Sequence, residues 1–278
     1  MSRLPARGPE VRQLGLALPP AAMPMWRRGR LRKSWRYVGY YSRELMLCVG
    51  DARVGPIPQR WWAIAEPGGA LHQRSSLGSA GVAMNGSRVL VDSGEVRIEL
   101  ELDESEGVEV ASPIGDRGNY IWTRKQGAAP AHGLVAIDGH EHELDGPAFA
   151  DESAGYHPRH TVWKWSAGVG RAAGGQRLAW NLVTGVHDSP RASERTLWID
   201  GDPSELAPVT FADDLSSIEF TDGAALAFSE WSAREERMNM LLLRSTYRQP
   251  FGTFAGELPG GMRLAEGYGV MEEHDVYW

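Results

Sequence analysis

The last strand-like segment of the chain places acidic, imidazole and aromatic side chains in a pattern that suits acid–base chemistry. In VMEEHDVYW, residues 270–278, a strand would put Glu272 and His274 on one face, beside Val270, Val276 and Trp278. A carboxyl group and an imidazole enclosed among apolar side chains have the perturbed pKa values that acid–base catalysis at neutral pH requires. The alternative is a structural role, in which both residues hydrogen-bond to neighbouring strands.

Two further charged residues are candidates for the same site. In ASERTLWIDG a strand puts Glu194 on the face of Thr196 and Trp198, so in a meander of strands Glu194 can become a partner of Glu272. Arg244 follows a run of apolar residues in MLLLRSTY, where a charge is usually paired. We expect a buried ion pair of Arg244 with an acidic residue, Glu230 or Glu194, and the alternative is that Arg244 binds an anionic group of a ligand.

Tryptophan is unusually frequent, with 11 Trp against 6 Phe. Trp163 and Trp165 alternate onto one face of TVWKWSAGVG, and Trp180 and Trp198 lie in the two strand-like segments that follow. A cavity for a hydrophobic ligand accommodates such bulky side chains, and these four residues are the predicted ligand-binding wall. The alternative is a large core that happens to use Trp.

Other classes of site lack their motifs. His140, His142, His157 and His160 fall close together, but no HExxH motif or cysteine pair accompanies them, so we expect no metal. The glycine-rich GVGRAAGG joins two strands and opens no helix, which disfavours a nucleotide cofactor, and we expect no cofactor of any kind. The single cysteine, Cys48, has an apolar setting and no G-x-S-x-G elbow occurs, so nucleophilic hydrolysis is disfavoured.

Charge is divided unevenly along the chain. Residues 1–36 carry a net charge of +8 and the remainder −15. Such an acidic body disfavours nucleic acid as a partner. The basic segment is expected to be a solvated arm on the acidic body, or alternatively to make peripheral contact with an anionic membrane through residues 27–33. With no apolar run of membrane-spanning length, no signal peptide and one cysteine, we expect a cytoplasmic location.

The segments that must position these residues have the pattern of antiparallel strands. GEVRIELELDE alternates apolar and charged residues, and Asn-Gly or Asp-Gly pairs at 85–86, 138–139, 200–201 and 222–223 are typical of tight hairpin turns. Many hairpins without βαβ spacing predict an all-β sandwich or up-and-down barrel. The turn-rich residues 145–160 are the predicted joint between two halves.

Four segments, TVWKWSAGVG, WNLVTGVHDSPRASERTLWIDG, FGTFAGELPGG and GVMEEHDVYW, resemble the bacterial family DUF2804, a domain of unknown function. That family is similar to double lipocalin-like (calycin) proteins, which include hydratases of the hydroxyneurosporene synthase type and tocopherol cyclase. The resemblance implies two antiparallel β-barrels packed together. With the basic arm and the joint predicted from the residues, we expect an arm over 1–30, one barrel over 31–150 and a second over 151–278. It transfers no catalytic residue.

These observations lead to three hypotheses for function. The first is a binder of a lipid-like or isoprenoid-like molecule in a Trp-lined cavity. The second is a cofactor-independent enzyme that hydrates or cyclises an isoprenoid or polyketide, with Glu272 or Glu194 as the acid and His274 as its partner. The third is a module that binds a membrane surface or a partner protein. We expect the last strand to close the second barrel, with Trp278 packed and Glu272 and His274 facing inward. An enclosed Glu272 favours the enzyme, whereas Glu272 at the rim favours the binder.

Overall fold

A computed structural model of the chain describes residues 4–239 and 244–278, which form 22 strands and one short 3-10 helix at Gly8–Leu14. The strands of the first half are β1 (Ala6–Arg7), β2 (Trp26–Arg27), β3 (Arg30–Leu31), β4 (Lys33–Tyr41), β5 (Met46–Val54), β6 (Ile57–Ala65), β7 (Leu71–Ser76), β8 (Val82–Asn85), β9 (Arg88–Asp92), β10 (Val96–Leu102), β11 (Val108–Ile114), β12 (Asn119–Ile137) and β13 (His140–Gly155). Those of the second half are β14 (His160–Ala172), β15 (Arg177–Thr184), β16 (Thr196–Ile199), β17 (Asp202–Glu205), β18 (Val209–Phe211), β19 (Ser217–Phe220), β20 (Ala225–Asn239), β21 (Arg244–Leu258) and β22 (Met262–Tyr277).

The two halves share one connectivity. The first sheet has the order β7-β6-β5-β4-β13-β12-β10-β9-β8, with β11 and β1 added beside β12, and the second has the order β17-β16-β15-β14-β22-β21-β20-β19-β18. In each, four strands run as a meander, the next strand starts at the far edge, and the last strand returns to pair with the first. The closing strands, β13 and β22, therefore lie in the middle of their sheets.

Each sheet curls around its own apolar interior. The first encloses Val38, Val49, Trp62, Ile98 and Leu100. The second encloses Trp180, Leu197, Phe211, Ile218 and Phe254. The fold is therefore all-β, as the hairpin pattern predicted, with two antiparallel barrels packed together, as the family resemblance implied.

Local sequence explains the strands and turns. In β10 the apolar residues are buried and the charged ones face outward, which confirms the alternation seen in GEVRIELELDE. The turn between β12 and β13 is made by Asp138 and Gly139, both with positive φ angles of 50° and 81°, as tight hairpins require. Asp200 and Gly201 form the same kind of turn between β16 and β17.

A third apolar cluster joins the barrels through their outer faces. The first barrel contributes Tyr37, Tyr41, Met46, Cys48 and Phe149. The second contributes Trp165, Val183, Trp198, Phe251 and Val270. Because side chains alternate along a strand, the central strands fill a barrel with one face and meet the other barrel with the opposite face.

The N-terminal segment differs from the expectation of a solvated arm over 1–30. Within residues 4–24, Val11, Leu18 and Met23 are buried against Tyr120 and other residues of the first sheet. β1 pairs with β11, and apolar side chains of the segment pack against that sheet, so the segment is not solvated along its length. None of the helices in the described parts of the chain is long and apolar enough to cross a membrane.

The change from one sheet to the other comes at residues 156–159, between Gly155 and His160. The expected joint, residues 145–160, is largely strand, and the expected barrel boundary between residues 150 and 151 falls inside β13. Asp145, Gly146 and Pro147 suggest a turn in the sequence, but here all three are paired with β12 within the sheet.

Candidate active site

A cavity of about 150 Å³, partly open to solvent, lies between the facing sheets of the two barrels, and we call it the inter-barrel cavity. Its central wall comes from β4 and β13 on one side and from β14 and β22 on the other. One flank lies between β12 and the loop before β16, where Lys125 contacts Glu194. The opposite flank lies between β6 and β20, where Gln59 contacts Glu236.

Glu272, on β22, is buried in the central wall and is held by three donors. Its Oε1 accepts a hydrogen bond from Trp163 Nε1 at 2.8 Å, and its Oε2 accepts from Tyr247 Oη at 2.9 Å and Gln249 Nε2 at 3.0 Å. Burial raises the pKa of Glu272, although the hydrogen bonds from Trp163 and Tyr247 partly oppose this. The carboxyl group is therefore fixed in orientation and protonates more readily than an exposed glutamate.

His274 lies two residues further along the same face of β22. Burial, together with the positive charge of Arg234, lowers the pKa of His274 to about 3, so its imidazole is neutral at neutral pH. Its Nε2 lies 2.7 Å from Ser245 Oγ, and its ring packs against the rings of Trp163 and Tyr247 with centroids 4.4 and 5.0 Å away. A neutral imidazole can accept a proton, and the packing orients it beside Glu272.

Aromatic rings from both barrels line the middle of the cavity. Trp35 of β4 stacks parallel to Trp163 of β14, with ring centroids 6.5 Å apart and planes 5° apart. Tyr37 meets Trp165 edge to face at 5.5 Å. Planar walls of this kind are complementary to flat, unsaturated or aromatic molecules.

One flank of the cavity carries a buried ion cluster. Lys125 Nζ lies 2.7 Å from Asp151 Oδ1 and 3.3 Å from Glu194 Oε1, so one lysine joins two carboxylates from different barrels. Burial acts to lower the pKa of Lys125, but the charges of Asp151 and Glu194 outweigh it and the net pKa is raised. Lys125 is therefore a fixed cation in this flank.

The opposite flank is formed by Arg234 and Trp61. The guanidinium of Arg234 lies over the rings of Trp61 and Tyr247, and it pairs with Glu236 at 2.7 Å and with Ser75 Oγ at 2.8 Å. Among the described residues, Arg234 Nε and Trp61 Nε1 are buried donors without a partner. This flank presents hydrogen-bond donors to the cavity.

The structure brings together five of the eight residues named from the sequence. Glu272, His274, Glu194, Trp163 and Trp165 all line the inter-barrel cavity. Glu194, however, contacts Lys125 and not Glu272, so the two carboxyl groups share the cavity without the predicted direct partnership. The cavity itself lies between the barrels, whereas the terminal residues were expected to face the inside of one.

The remaining three residues lie elsewhere. Trp180 fills the interior of the second barrel, because its side chain lies on the inward face of β15. Trp198 faces the first barrel but packs edge to face on Phe149, in the apolar cluster beside the cavity. Arg244 is exposed and lies over the ring of Tyr277, so the expected buried ion pair is wrong; it begins a strand at the sheet end, where its side chain reaches water.

Sequence patterns missed several cavity residues: Lys125, Asp151, His157, His187, Arg234 and Tyr247. Lys125 and Arg234 lie in segments that contain several charged residues, TRKQG and SAREERM, and such segments are typical of solvent-exposed strands. The sequence signal for a buried position was a nearby tryptophan, as in WTRK and SEWSAR. It becomes meaningful only when the two barrels are packed together.

The basic residues 27–33 make several contacts within the chain. Arg27 lies over the ring of Tyr120, Arg32 donates to the Met23 carbonyl at 2.5 Å, and Lys33 is buried beneath Trp278. Trp26, next to them, is exposed. Contact with an anionic membrane remains an expectation, with fewer free cations than the sequence suggested.

The described part of the chain contains no group of three or more His, Cys, Asp or Glu residues that is arranged to hold a metal ion. His140 and His142 lie at the exposed turn between β12 and β13. His157 is buried beside Trp35 and Trp278 instead.

Comparison with known proteins places the chain in a family. The family model described as "Domain of unknown function (DUF2804)" matches residues 71–278, and the chain belongs to this family. No curated protein matches it in sequence.

Several solved structures share its fold, including the following two. Kievitone hydratase from Nectria haematococca has a TM-score of 0.57 at 14% identity, over 86% of this chain and 88% of that one. A protein described as an AttH from Nitrosomonas europaea has a TM-score of 0.51 at 13% identity, over 94% and 98% of the two chains. The fold is therefore the double lipocalin-like barrel that the family resemblance implied.

Proposed function

We propose that the inter-barrel cavity binds a small, mostly apolar, unsaturated molecule and that Glu272 and His274 carry out acid–base chemistry on it. The observation that carries the proposal is the placement of these two residues: a buried carboxyl group of raised pKa and a neutral imidazole share one cavity wall and both contact Trp163. A pair of this kind on one cavity wall favours an enzyme over a simple carrier.

The reaction that fits best is the addition of water to a carbon–carbon double bond. Protonated Glu272 transfers its proton to one alkene carbon, and a water molecule adds its oxygen to the cationic carbon that results. His274 then takes the surplus proton from that water, and the proton returns to Glu272 to complete the cycle. The aromatic walls stabilise the cationic carbon through their π faces.

The likeness to kievitone hydratase is consistent with this reaction, because that protein is a hydratase by name, but at 14% identity it supports the fold alone. The proposal therefore rests on the cavity. The reverse reaction, loss of water, uses the same groups in opposite roles. A carrier for the same class of molecule is the second candidate, and the aromatic lining favours it equally.

The test uses Glu272→Gln, which keeps the shape of the side chain and removes its acidity. Glu273→Gln is the matched control, because Glu273 is the next residue and lies on the other face of β22. Native mass spectrometry of both variants and the original chain, followed by organic extraction, identifies any molecule that co-purifies.

We expect an unsaturated substrate to co-purify with Glu272→Gln. When this molecule is added to the original chain or to Glu273→Gln, both should convert it. In water labelled with oxygen-18, the product gains the label. If all three proteins retain the molecule unchanged, the protein is a carrier; if none retains or binds an apolar molecule, the cavity is not a ligand site.

A further inference from the structure

The flank formed by Lys125, Asp151 and Glu194 contains more hydrogen-bonding capacity than the protein itself uses. Glu194 is only 2% exposed, and its Oε1 contacts Lys125, but its Oε2 has no hydrogen-bond partner among the described residues. A buried, unpartnered carboxylate oxygen is costly, because it has lost its hydrogen bonds to water and gained none in their place.

Two more side chains nearby share this property. His187 is 7% exposed; its Nδ1 lies 2.9 Å from Ser112 Oγ, whereas its Nε2 has no partner in the described chain. Thr123 is 1% exposed, and its hydroxyl is likewise unpartnered there. All three line the inter-barrel cavity, so their free atoms can be satisfied by a molecule inside it.

The chemistry of these atoms selects the group that fits. Glu194 Oε2 only accepts hydrogen bonds, the Thr123 hydroxyl both donates and accepts, and the neutral His187 offers one or the other according to its tautomer. A hydroxyl group matches this mixture, because it donates one hydrogen bond and accepts others. An anionic group would face two carboxylates, and an ammonium group would face Lys125, which already neutralises one of them.

We propose that this flank is a subsite for a hydroxyl group of the ligand, remote from the double bond on which Glu272 acts. In the second sheet β22, β14, β15 and β16 are consecutive, and Glu194 lies two residues before β16. Three strand spacings put the two backbones roughly 14 Å apart. The substrate class is then an unsaturated, largely apolar alcohol or phenol whose hydroxyl and reacting carbon lie at opposite ends. This rests on the proposed function, since both use one cavity.

Isothermal titration with three aromatic probes of one shape tests the subsite: naphthol, methylnaphthalene and naphthylmethylammonium. We expect naphthol to bind about tenfold or more tightly than methylnaphthalene, as one hydrogen bond to a buried carboxylate predicts. Glu194→Gln and Thr123→Val should each reduce that preference, while Glu273→Gln leaves it unchanged. Thr123→Val keeps the shape of the side chain, so it stays informative if Glu194→Gln fails to fold.

The outcomes separate the two proposals. Equal binding of naphthol and methylnaphthalene, or a preference that survives both variants, overturns the hydroxyl subsite and leaves the cavity as a ligand site. Tightest binding of the ammonium probe overturns it in favour of a cation site. Failure of every probe to bind overturns the ligand cavity, and the subsite with it.

Discussion

The hydroxyl of Tyr247 donates a hydrogen bond to Glu272 Oε2 at 2.9 Å, joining neighbouring strands β21 and β22 on the face that meets the first barrel. Burial raises the pKa of Tyr247 well above its ordinary value, so the phenol keeps its proton and remains a donor at physiological pH. The proton affinity of Glu272 is thus set by two opposed effects, burial and donated hydrogen bonds, which can be separated by mutation.

Replacing Tyr247 with Phe should raise the pKa of Glu272 further. The hydrogen bond stabilises the carboxylate form, and its loss leaves burial less opposed. The measurement is an NMR titration of the protein labelled with carbon-13 at the glutamate side-chain carboxyls, with the Glu272 signal assigned from its absence in Glu272→Gln.

Tyr277→Phe is the control for that titration. It removes a phenol from β22, the strand of Glu272, but the Tyr277 ring stacks on His160. This variant should leave the Glu272 signal where it was. A downward shift in Tyr247→Phe would show that the phenol accepts a proton from Glu272 instead of donating one.

His274 should make the protein sensitive to acid. Its pKa is about 3 in the folded chain, against about 6.5 when unfolded, so between these values the unfolded state binds the extra proton. Stability is therefore lost as pH falls from about 6.5 towards 3, by about 1.4 kcal/mol per pH unit for this residue. His187, with a pKa lowered to about 3 by burial, adds a second contribution of the same sign.

Urea unfolding at several pH values between 7 and 4 gives this slope. In His274→Asn the dependence on pH should be shallower by about 1.4 kcal/mol per unit. His140→Asn, at an exposed turn, is the matched histidine replacement outside the cavity. An unchanged slope in His274→Asn would mean that the imidazole is charged in the folded protein.

Lys125 should be essential to stability. Among the described ion pairs, it is the only cation that contacts the two buried carboxylates of its cluster, Asp151 and Glu194. Lys125→Met leaves Asp151 and Glu194 buried without a counter-charge, which costs about 3–5 kcal/mol. Lys164→Met is the matched control: Lys164 pairs with the fully exposed Asp213, so its loss should cost about 1 kcal/mol or less.

Denaturant unfolding measures both variants. Adding Asp151→Asn and Glu194→Gln to Lys125→Met should recover much of the lost stability, since the uncompensated charges are removed together. A single Lys125→Met variant as stable as its control would show that solvent reaches the cluster.

The sequence predicts the strands and their turns because both depend on local chemistry. Alternation in GEVRIELELDE and the Asp-Gly pair at 138–139 need no information about distant residues. The same alternation correctly groups Glu272 with His274. It does not say which face of β22 fills a barrel and which meets the other barrel, so the terminal residues were expected inside a barrel.

Residues contributed by distant strands were out of reach for a related reason. Lys125 and Glu194 are 69 positions apart in the numbering and come from different barrels, and their contact exists only once the barrels pack. From the sequence alone, a charged residue such as Arg234 is predicted to be exposed to solvent. In the structure it is buried beside the ring of Trp61. Inter-barrel geometry is a property of the assembled sheets and has no local pattern.

Trp163 and Trp180 illustrate the distinction and can be separated by experiment. Both were predicted to line a cavity, but Trp163 faces Glu272 and the cavity, while Trp180 is fully buried inside the second barrel and donates to Ser166 Oγ at 3.3 Å. Trp163→Phe should weaken binding of naphthol several-fold, because it removes part of the aromatic wall of the cavity, and it also loses the hydrogen bond to Glu272. Trp180→Phe leaves a void in a closed core and should lower stability by about 1–3 kcal/mol, while naphthol binding stays unchanged. Titration calorimetry and thermal unfolding of the two variants, measured side by side, decide the matter. Weakened binding in Trp180→Phe would place the ligand inside the second barrel and remove the inter-barrel cavity from consideration.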